Sequence, residues 1–174
     1  NRKERKMSDF KTMRRKRQQL SDEETIQLLR QATSGVLSVL DEDGYPYGVP
    51  LSYVYHDNKL FFHSALNGHK IDAVRHCDKA SFTVISQDKV HPETFTTHFR
   101  SAICFGRVRI IEDETEKLTT LRLLGERYCP NDENGLTAEI EKSFNHLEMI
   151  AFDIEHITGK ECIELTRARK NTEQ

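Results

Sequence analysis

The sequence lacks most of the marks that would have narrowed its class at once. It has no tryptophan, and only four prolines, eight glycines and four cysteines in 174 residues. The cysteines stand at 77, 104, 129 and 162, with intervals of 27, 25 and 33 and no CxxC or CxxH pair, so a zinc site is not expected. Nothing resembles a signal peptide, and no apolar run is long enough to span a bilayer. The expectation is a cytoplasmic protein with free thiols, each a small buried apolar residue. Eight histidines include no pair at i, i+4, and no HExxH, P-loop, GxGxxG or GxSxG occurs. No metal and no nucleophile elbow are therefore expected.

Charge is almost balanced at −2, so no global field favours a polyanion. Its distribution is uneven. Residues 1–17 hold nine Lys or Arg and two acids, leaving 17 basic and 26 acidic side chains in the remainder, a net −9. The reading for residues 1–12 is a flexible basic extension; nucleic-acid binding through it is the lesser alternative. The hydrophobic share of 36% is low for a lone chain, and a dimer that buries further surface fits it.

What is present is strand-rich. Ser21 and Glu24 form a capping box behind Leu20, and Ile26, Leu28 and Leu29 give that helix an apolar face ending before Gly35. Gly35–Leu40 reads as a buried strand. Tyr45–Tyr55 alternates as one strand, with Pro46 and Pro50 arguing for an edge. Leu60–His63 and Ala80–Ser86 are further strands, residues 87–97 read as a loop, and Phe99–Ile111 is a long strand. Helices are expected over Thr115–Tyr128 and around Leu136–Phe144. Leu147–Ile157 returns to strand, and Gly159 turns the chain into a last apolar piece at Cys162–Leu165. About six strands with hairpin-type links predict a mainly β, α+β fold or small barrel with peripheral helices. Regular βαβ alternation is absent.

Chemistry gathers where the strand Lys59–His63 meets the helix beginning near Asn67. Ser64, Gly68, His69 and Lys70 converge there, at a helix start with unpaired N–H groups and partial positive charge. That is the composition of an anion site, and equally of a polar surface loop. His63 closes an apolar strand and could be neutral or charged near pH 7. In the strand with two prolines, Gly48 permits a flat ligand close to the backbone.

Four stretches carry a resemblance: Met13-Arg14-Arg15-Lys16, Gly44–Leu51, Leu60–Ala65 with Gly68-His69-Lys70, and Ile157–Glu161. In order and spacing they are similar to the pyridoxamine 5'-phosphate oxidase-related, FMN-binding split-barrel superfamily, and more closely to its nitroimidazole-resistance (Nim-type) branch. The resemblance implies a homodimer of six-stranded antiparallel split barrels over residues 13–168, followed by a polar tail at 169–174, with FMN at the dimer interface. Carried over by position, Gly48, Val49, Pro50, Leu51, Ser52 and Tyr53 would line the flavin ring. His63 and Ser64 would lie by its ribityl-phosphate, Gly68, His69 and Lys70 would hold the phosphate, and Ser101 would be a polar contact from the partner subunit. His63 would also be catalytic, near a small planar acceptor such as a nitroimidazole. The missing tryptophan and the tail Thr166-Arg167-Ala168-Arg169-Lys170 depart from the substrate segment of the vitamin B6 oxidases. The implied activity is an FMN-dependent oxidoreductase. The alternatives are a non-catalytic flavin carrier or sensor, and a split-barrel protein using heme or another cofactor.

Overall fold

A computed structural model describes residues 10–172. Most of the basic extension expected over residues 1–12 lies outside the described residues. The first helix, α1 (Asp22–Gln31), starts as its sequence dictates. The Glu24 amide donates to Ser21 Oγ at 3.1 Å, and the Ser21 amide donates to Glu24 Oε2 at 2.7 Å. Then come β1 (Ser34–Leu40), β2 (Pro46–Ser52), β3 (Val54–His56), β4 (Lys59–Ala65) and α2 (His69–His76). The second half holds β5 (Lys79–His91), β6 (Thr96–Ile110), α3 (Glu114–Tyr128), α4 (Glu133–Ser143), β7 (Leu147–Glu161) and α5 (Ile163–Thr172).

The strands form one antiparallel sheet of seven, in the order β2-β1-β5-β6-β7-β4-β3. The expected six becomes seven because the stretch Tyr45–Tyr55 is not one strand. It breaks at Tyr53: β2 pairs with β1 at one end of the sheet, and β3 pairs with β4 at the other. The prolines fit this placement. Pro46 and Pro50 sit on an outermost strand, where a missing N–H costs no ladder bond.

Two apolar clusters hold the sheet. Leu37, Val39, Leu60, Phe62, Phe82 and Phe152 are among those that meet inside the curved sheet. On the reverse face of β3, β4 and β7, the side chains of Val54, Phe61, Met149 and Ala151 pack beneath Leu121 and Leu124 of α3 and Ile140 of α4. Residues 149–152 of β7 are therefore buried on both faces. That explains an unbroken Met-Ile-Ala-Phe run in a strand that elsewhere alternates.

Three other expectations change. Residues 87–97 are not a loop: β5 and β6 continue as a paired ribbon to His91 and Thr96. Gly159 does not turn the chain, because β7 runs through it to Glu161. The piece after it is helical, and α5 crosses the expected boundary between domain and tail. Its Arg169 donates to Glu161 at 2.9 Å and also pairs with Glu24. Glu161 is 0% exposed and accepts from Arg100 at 2.8 Å as well, so one buried carboxylate joins α1, β6, β7 and α5. Of the four free cysteines, Cys104 and Cys162 are buried, Cys77 is half-buried and Cys129 is exposed.

Candidate functional site

The junction between β4 and α2 is as the sequence suggested, but it faces two ways. Successive strand residues point to opposite faces. Ser64 is buried on the inner side with Leu60 and Phe62, while His63 lies on the side of Phe61. The two side chains therefore cannot share one contact, and a solvent-side phosphate would meet Ser64 only through its backbone. Gly68 caps α2 at φ 129°, a conformation that L side chains rarely adopt. His69 is engaged: its Nε2 lies 2.7 Å from Asp41 Oδ2, and its ring stacks on Tyr47 at 3.9 Å.

Lys70 is different. It is partly buried, and among the described residues it has no hydrogen-bond or ion-pair partner. Burial pushes its amine below the ordinary lysine range. His63 is also pushed down, first by burial and then by the Lys70 charge. His63 thus favours the neutral imidazole, beside a cation that has no counter-ion. A half-buried ammonium in that condition, at the first turn of a helix, suits a bound anion.

His63 also opens onto a cavity of about 570 Å³ between the sheet and the α3–α4 pair. Ser52 and His63 line it from the strands, Leu121, Leu124 and Tyr128 from α3, and Leu136 from α4. It joins the expected ring-lining strand to the expected catalytic histidine. Two depressions of similar size lie elsewhere, around Arg75 and Arg109 and around Glu24 and Arg100; neither includes an expected site residue.

Tyr128 sets the cavity's shape. Where the chain leaves β2 for β3, the Tyr53 amide donates to Tyr128 Oη at 3.0 Å. The same hydroxyl faces the carbonyls of Tyr53, at 3.1 Å, and of Thr33. Next to it, Arg127 donates to the carbonyls of Arg30 and Gln31 at 3.2 and 3.0 Å. The end of α3 thus ties the exit of α1 to the break in the β2–β3 segment. Sequence reasoning saw α3 as a helix but not as a wall of the site; the stripe of Leu118, Leu121 and Leu124 showed an apolar face without showing what it covers.

The expected ring-lining residues divide. Gly48, Pro50 and Ser52 face outward, whereas Val49 and Leu51 pack against the inner core. The Tyr53 side chain is buried, its hydroxyl donates to the Leu29 carbonyl at 2.6 Å, and its backbone groups are engaged by Tyr128. Its placement makes it a structural residue with no free group for a ring. Ser101 lies on the outer face of β6, opposite Lys160 of β7. His63 is opposite Met149, eleven residues away along β7, or on the order of 35 Å of strand at roughly 3.3 Å per residue. A single chain does not bring Ser101 and His63 together along that strand.

The profile of the family described as pyridoxamine 5'-phosphate oxidase matches residues 21–161. The chain belongs to this family. The match spans every strand of the sheet, the β4–α2 junction and the cavity. Solved structures agree on the fold of this pyridoxamine 5'-phosphate oxidase family member. A candidate 5-nitroimidazole antibiotic resistance protein from Bacteroides thetaiotaomicron is 23% identical, with a TM-score of 0.69 over 82% of this chain and 86% of that one. A flavocytochrome from Azotobacter vinelandii is 21% identical, with a TM-score of 0.74 over 87% of this chain and 72% of that one. An FAD- and heme-binding protein from Mycobacterium smegmatis is 22% identical, with a TM-score of 0.70 over 83% and 73%. At these identities the likeness carries the fold alone. No curated protein matches the sequence. Among the described residues, no helix is long and apolar enough to cross a membrane.

Proposed function

We propose that this chain is a homodimeric, FMN-dependent oxidoreductase acting on small planar acceptors of the nitroheterocycle type. The observation that carries the reading is Lys70: a half-buried cation without a partner among the described residues, at the first turn of α2 and electrostatically coupled to His63. A phosphate there would neutralise it and take up the free amides of the helix start. Gly48, Pro50 and Ser52 offer an outward-facing strand on which a flat ring can rest. FMN, when bound, would supply the redox chemistry.

The protein's own contribution is position and electrostatics. His63 is held neutral by partial desolvation and by Lys70, so it can offer one N–H donor and one acceptor nitrogen at the cavity mouth. Leu121, Leu124 and Leu136 give the cavity an apolar wall. The leucines of the lining suit a flat apolar ring, and the carboxylates of Asp132 and Glu139 in the same lining disfavour a polyanion.

Support for the dimer comes from the outer face of the sheet. There Ala102 and Cys104 turn inward while Ile103 and Phe105 turn outward. Pairing registers Pro50, Val36, Thr83 and Ile103 as one row across four strands, followed by Gly48, Ser38, Ser81 and Phe105. Phe105 stacks on Phe10 of its own chain at 5.6 Å, and the small and apolar, uncharged residues beside it make the rest of this face suited to packing against a copy of itself.

Purified protein should show flavin absorption or take up FMN from solution. Colourless protein that cannot be reconstituted would end the reading, and a Soret band would replace it with the heme alternative, to which two of the structural relatives lend weight. With flavin present, anaerobic reduction and addition of a nitroimidazole separates an enzyme from a carrier. Lys70→Ala should weaken FMN retention by roughly 10- to 100-fold, the scale of a charge-assisted hydrogen bond. His63→Ala should lower turnover more than FMN affinity; equal losses would make His63 a cofactor ligand only.

A further inference from the structure

The chain approaches its first helix through a run of four cations. Arg14, Arg15, Lys16 and Arg17 are all exposed, and none has an ion-pair partner among the described residues. The run is not a loose tail. Lys16–Gln18 makes one tight helical turn, in which the Gln18 amide donates to the Arg15 carbonyl at 3.0 Å. Gln19 then bridges to Lys160 of β7, and the Leu20 amide donates to the Gly159 carbonyl at 2.9 Å. A Cβ at Gly159 would press on Leu20 and Thr25, so glycine there lets the segment lie directly on the strand. On its other side the turn packs against α5.

Beside this turn is an open depression of about 400 Å³, lined by Arg14, Arg15, Lys16, Arg17, Gln18 and Ile163. No carboxylate is part of that lining. Exposed cations are ordinarily satisfied by water, and alone they would mark only a solvated surface. Gln18 is not so satisfied. It is 7% exposed, its Oε1 is buried without a partner, and its side chain makes no hydrogen bond among the described residues. Buried amides are normally paired, so one left open beneath four cations points to a group from outside the chain. The Gln18 amide can donate to a phosphate oxygen and accept from a hydroxyl or an amine.

Charge and shape set the class of that group. Four cations without a carboxylate among them match a diphosphate better than a single phosphate. A long polyanion fits worse, because residues 18–174 carry a net −9 and would repel whatever extends past the patch. Ile163, half-buried at the start of α5, offers an apolar surface for the face of a sugar or a base. The depression has the size of a small-molecule site.

We propose that the Arg14–Gln18 turn and Ile163 form a second anion site, which binds a small diphosphate ester of the nucleoside diphosphate kind. The arginines take the phosphates, and Gln18 takes a polar group of the ester. The site is separate from the one at Lys70. It adjoins the Lys160 end of β7, whereas His63 is opposite Met149 near the start of that strand.

Isothermal titration calorimetry on the full chain tests this, with ADP, pyrophosphate and inorganic phosphate as probes at low and high KCl. ADP and pyrophosphate should bind once per chain and compete, phosphate should bind at least about tenfold more weakly, and affinity should fall as salt rises. Arg15→Gln/Arg17→Gln should weaken ADP by about tenfold or more. Gln18→Met, which keeps the shape and removes the amide, should weaken it by about two- to tenfold with circular dichroism unchanged. Lys70→Ala should leave ADP binding as it is. No ADP binding, affinity that the arginine pair does not change, or binding lost in Lys70→Ala or displaced by FMN overturns the site. Phosphate as tight as ADP overturns the diphosphate class, and a short oligothymidylate bound more tightly than ADP overturns the small ligand in favour of nucleic acid. Protein that takes up no FMN but still binds ADP ends the cofactor reading and supports this site.

Discussion

At the scale of single residues, the site depends on two titratable groups that disturb each other. His63 stands exposed at the end of β4, but partial desolvation of its ring and then the Lys70 charge hold its imidazole below the ordinary value near 6.5. The folded chain therefore binds fewer protons than the unfolded chain between that depressed value and 6.5. Stability contributed by His63 is present above this window and falls as pH drops through it. Lys70 is the second of the two causes, so Lys70→Ala should raise the His63 pKa while leaving most of the desolvation effect. Proton NMR titration of the imidazole checks this directly, without any flavin; an unmoved midpoint would show that the two groups do not communicate. His69 and Lys70, adjacent in sequence and both expected to hold a phosphate, part company in the structure. Asp41 and Tyr47 occupy His69, and only Lys70 is left for an anion.

At the scale of elements, the feature that matters most is the break between β2 and β3. It leaves the backbone of Tyr53 outside both ladders, and Tyr128 at the end of α3 supplies the missing partner. Tyr128→Phe should cost about 1–3 kcal/mol, because it strands backbone polar groups in a partly buried place. At roughly 2–4 °C per kcal/mol for a chain of this size, the Tm falls by several degrees. Urea unfolding with an unchanged midpoint would show that the hydroxyl is not needed. The same variant should loosen Ser52 at the cavity mouth, so FMN affinity should fall with stability. The break was not legible in the sequence, since Val49, Leu51, Tyr53 and Tyr55 keep a perfect alternation across it. The ribbon was missed for the opposite reason: Gln87, Asp88 and Lys89 have no apolar alternation, and only backbone pairing makes them strand.

At the scale of the whole molecule, the sheet is closed off by charge as well as by apolar packing. Glu161, fully buried, accepts from Arg100 and Arg169, and Arg169 also reaches Glu24. Glu161→Ala would remove the carboxylate that Arg100 and Arg169 share; both guanidinium groups are partly exposed and Arg169 keeps Glu24, so the variant should destabilise by about 1–3 kcal/mol. Thermal unfolding within about 1 kcal/mol of wild type would show that water replaces the carboxylate without cost. The sequence gives no sign of this network, because Glu24, Arg100, Glu161 and Arg169 are spread over 145 positions. The same separation applies to Ser101 and His63, which belong to one proposed site yet lie at opposite ends of β7. A second copy is the simplest way to unite them.

By itself the sequence determined what is local. The capping box at Ser21 and Glu24, the glycine start of α2, the prolines on an outermost strand and the strand-to-helix junction at residues 59–76 follow from near-neighbour rules, and family resemblance pointed to the pyridoxamine 5'-phosphate oxidase family. Tertiary structure decided which groups are free to act. It turned Ser64 inward and His63 outward, gave His69 a partner and left Lys70 without one, and put α3 and α4 over the cavity. Those outcomes depend on contacts between residues far apart in the chain, and alternation or spacing carries no information about what lies across from a face.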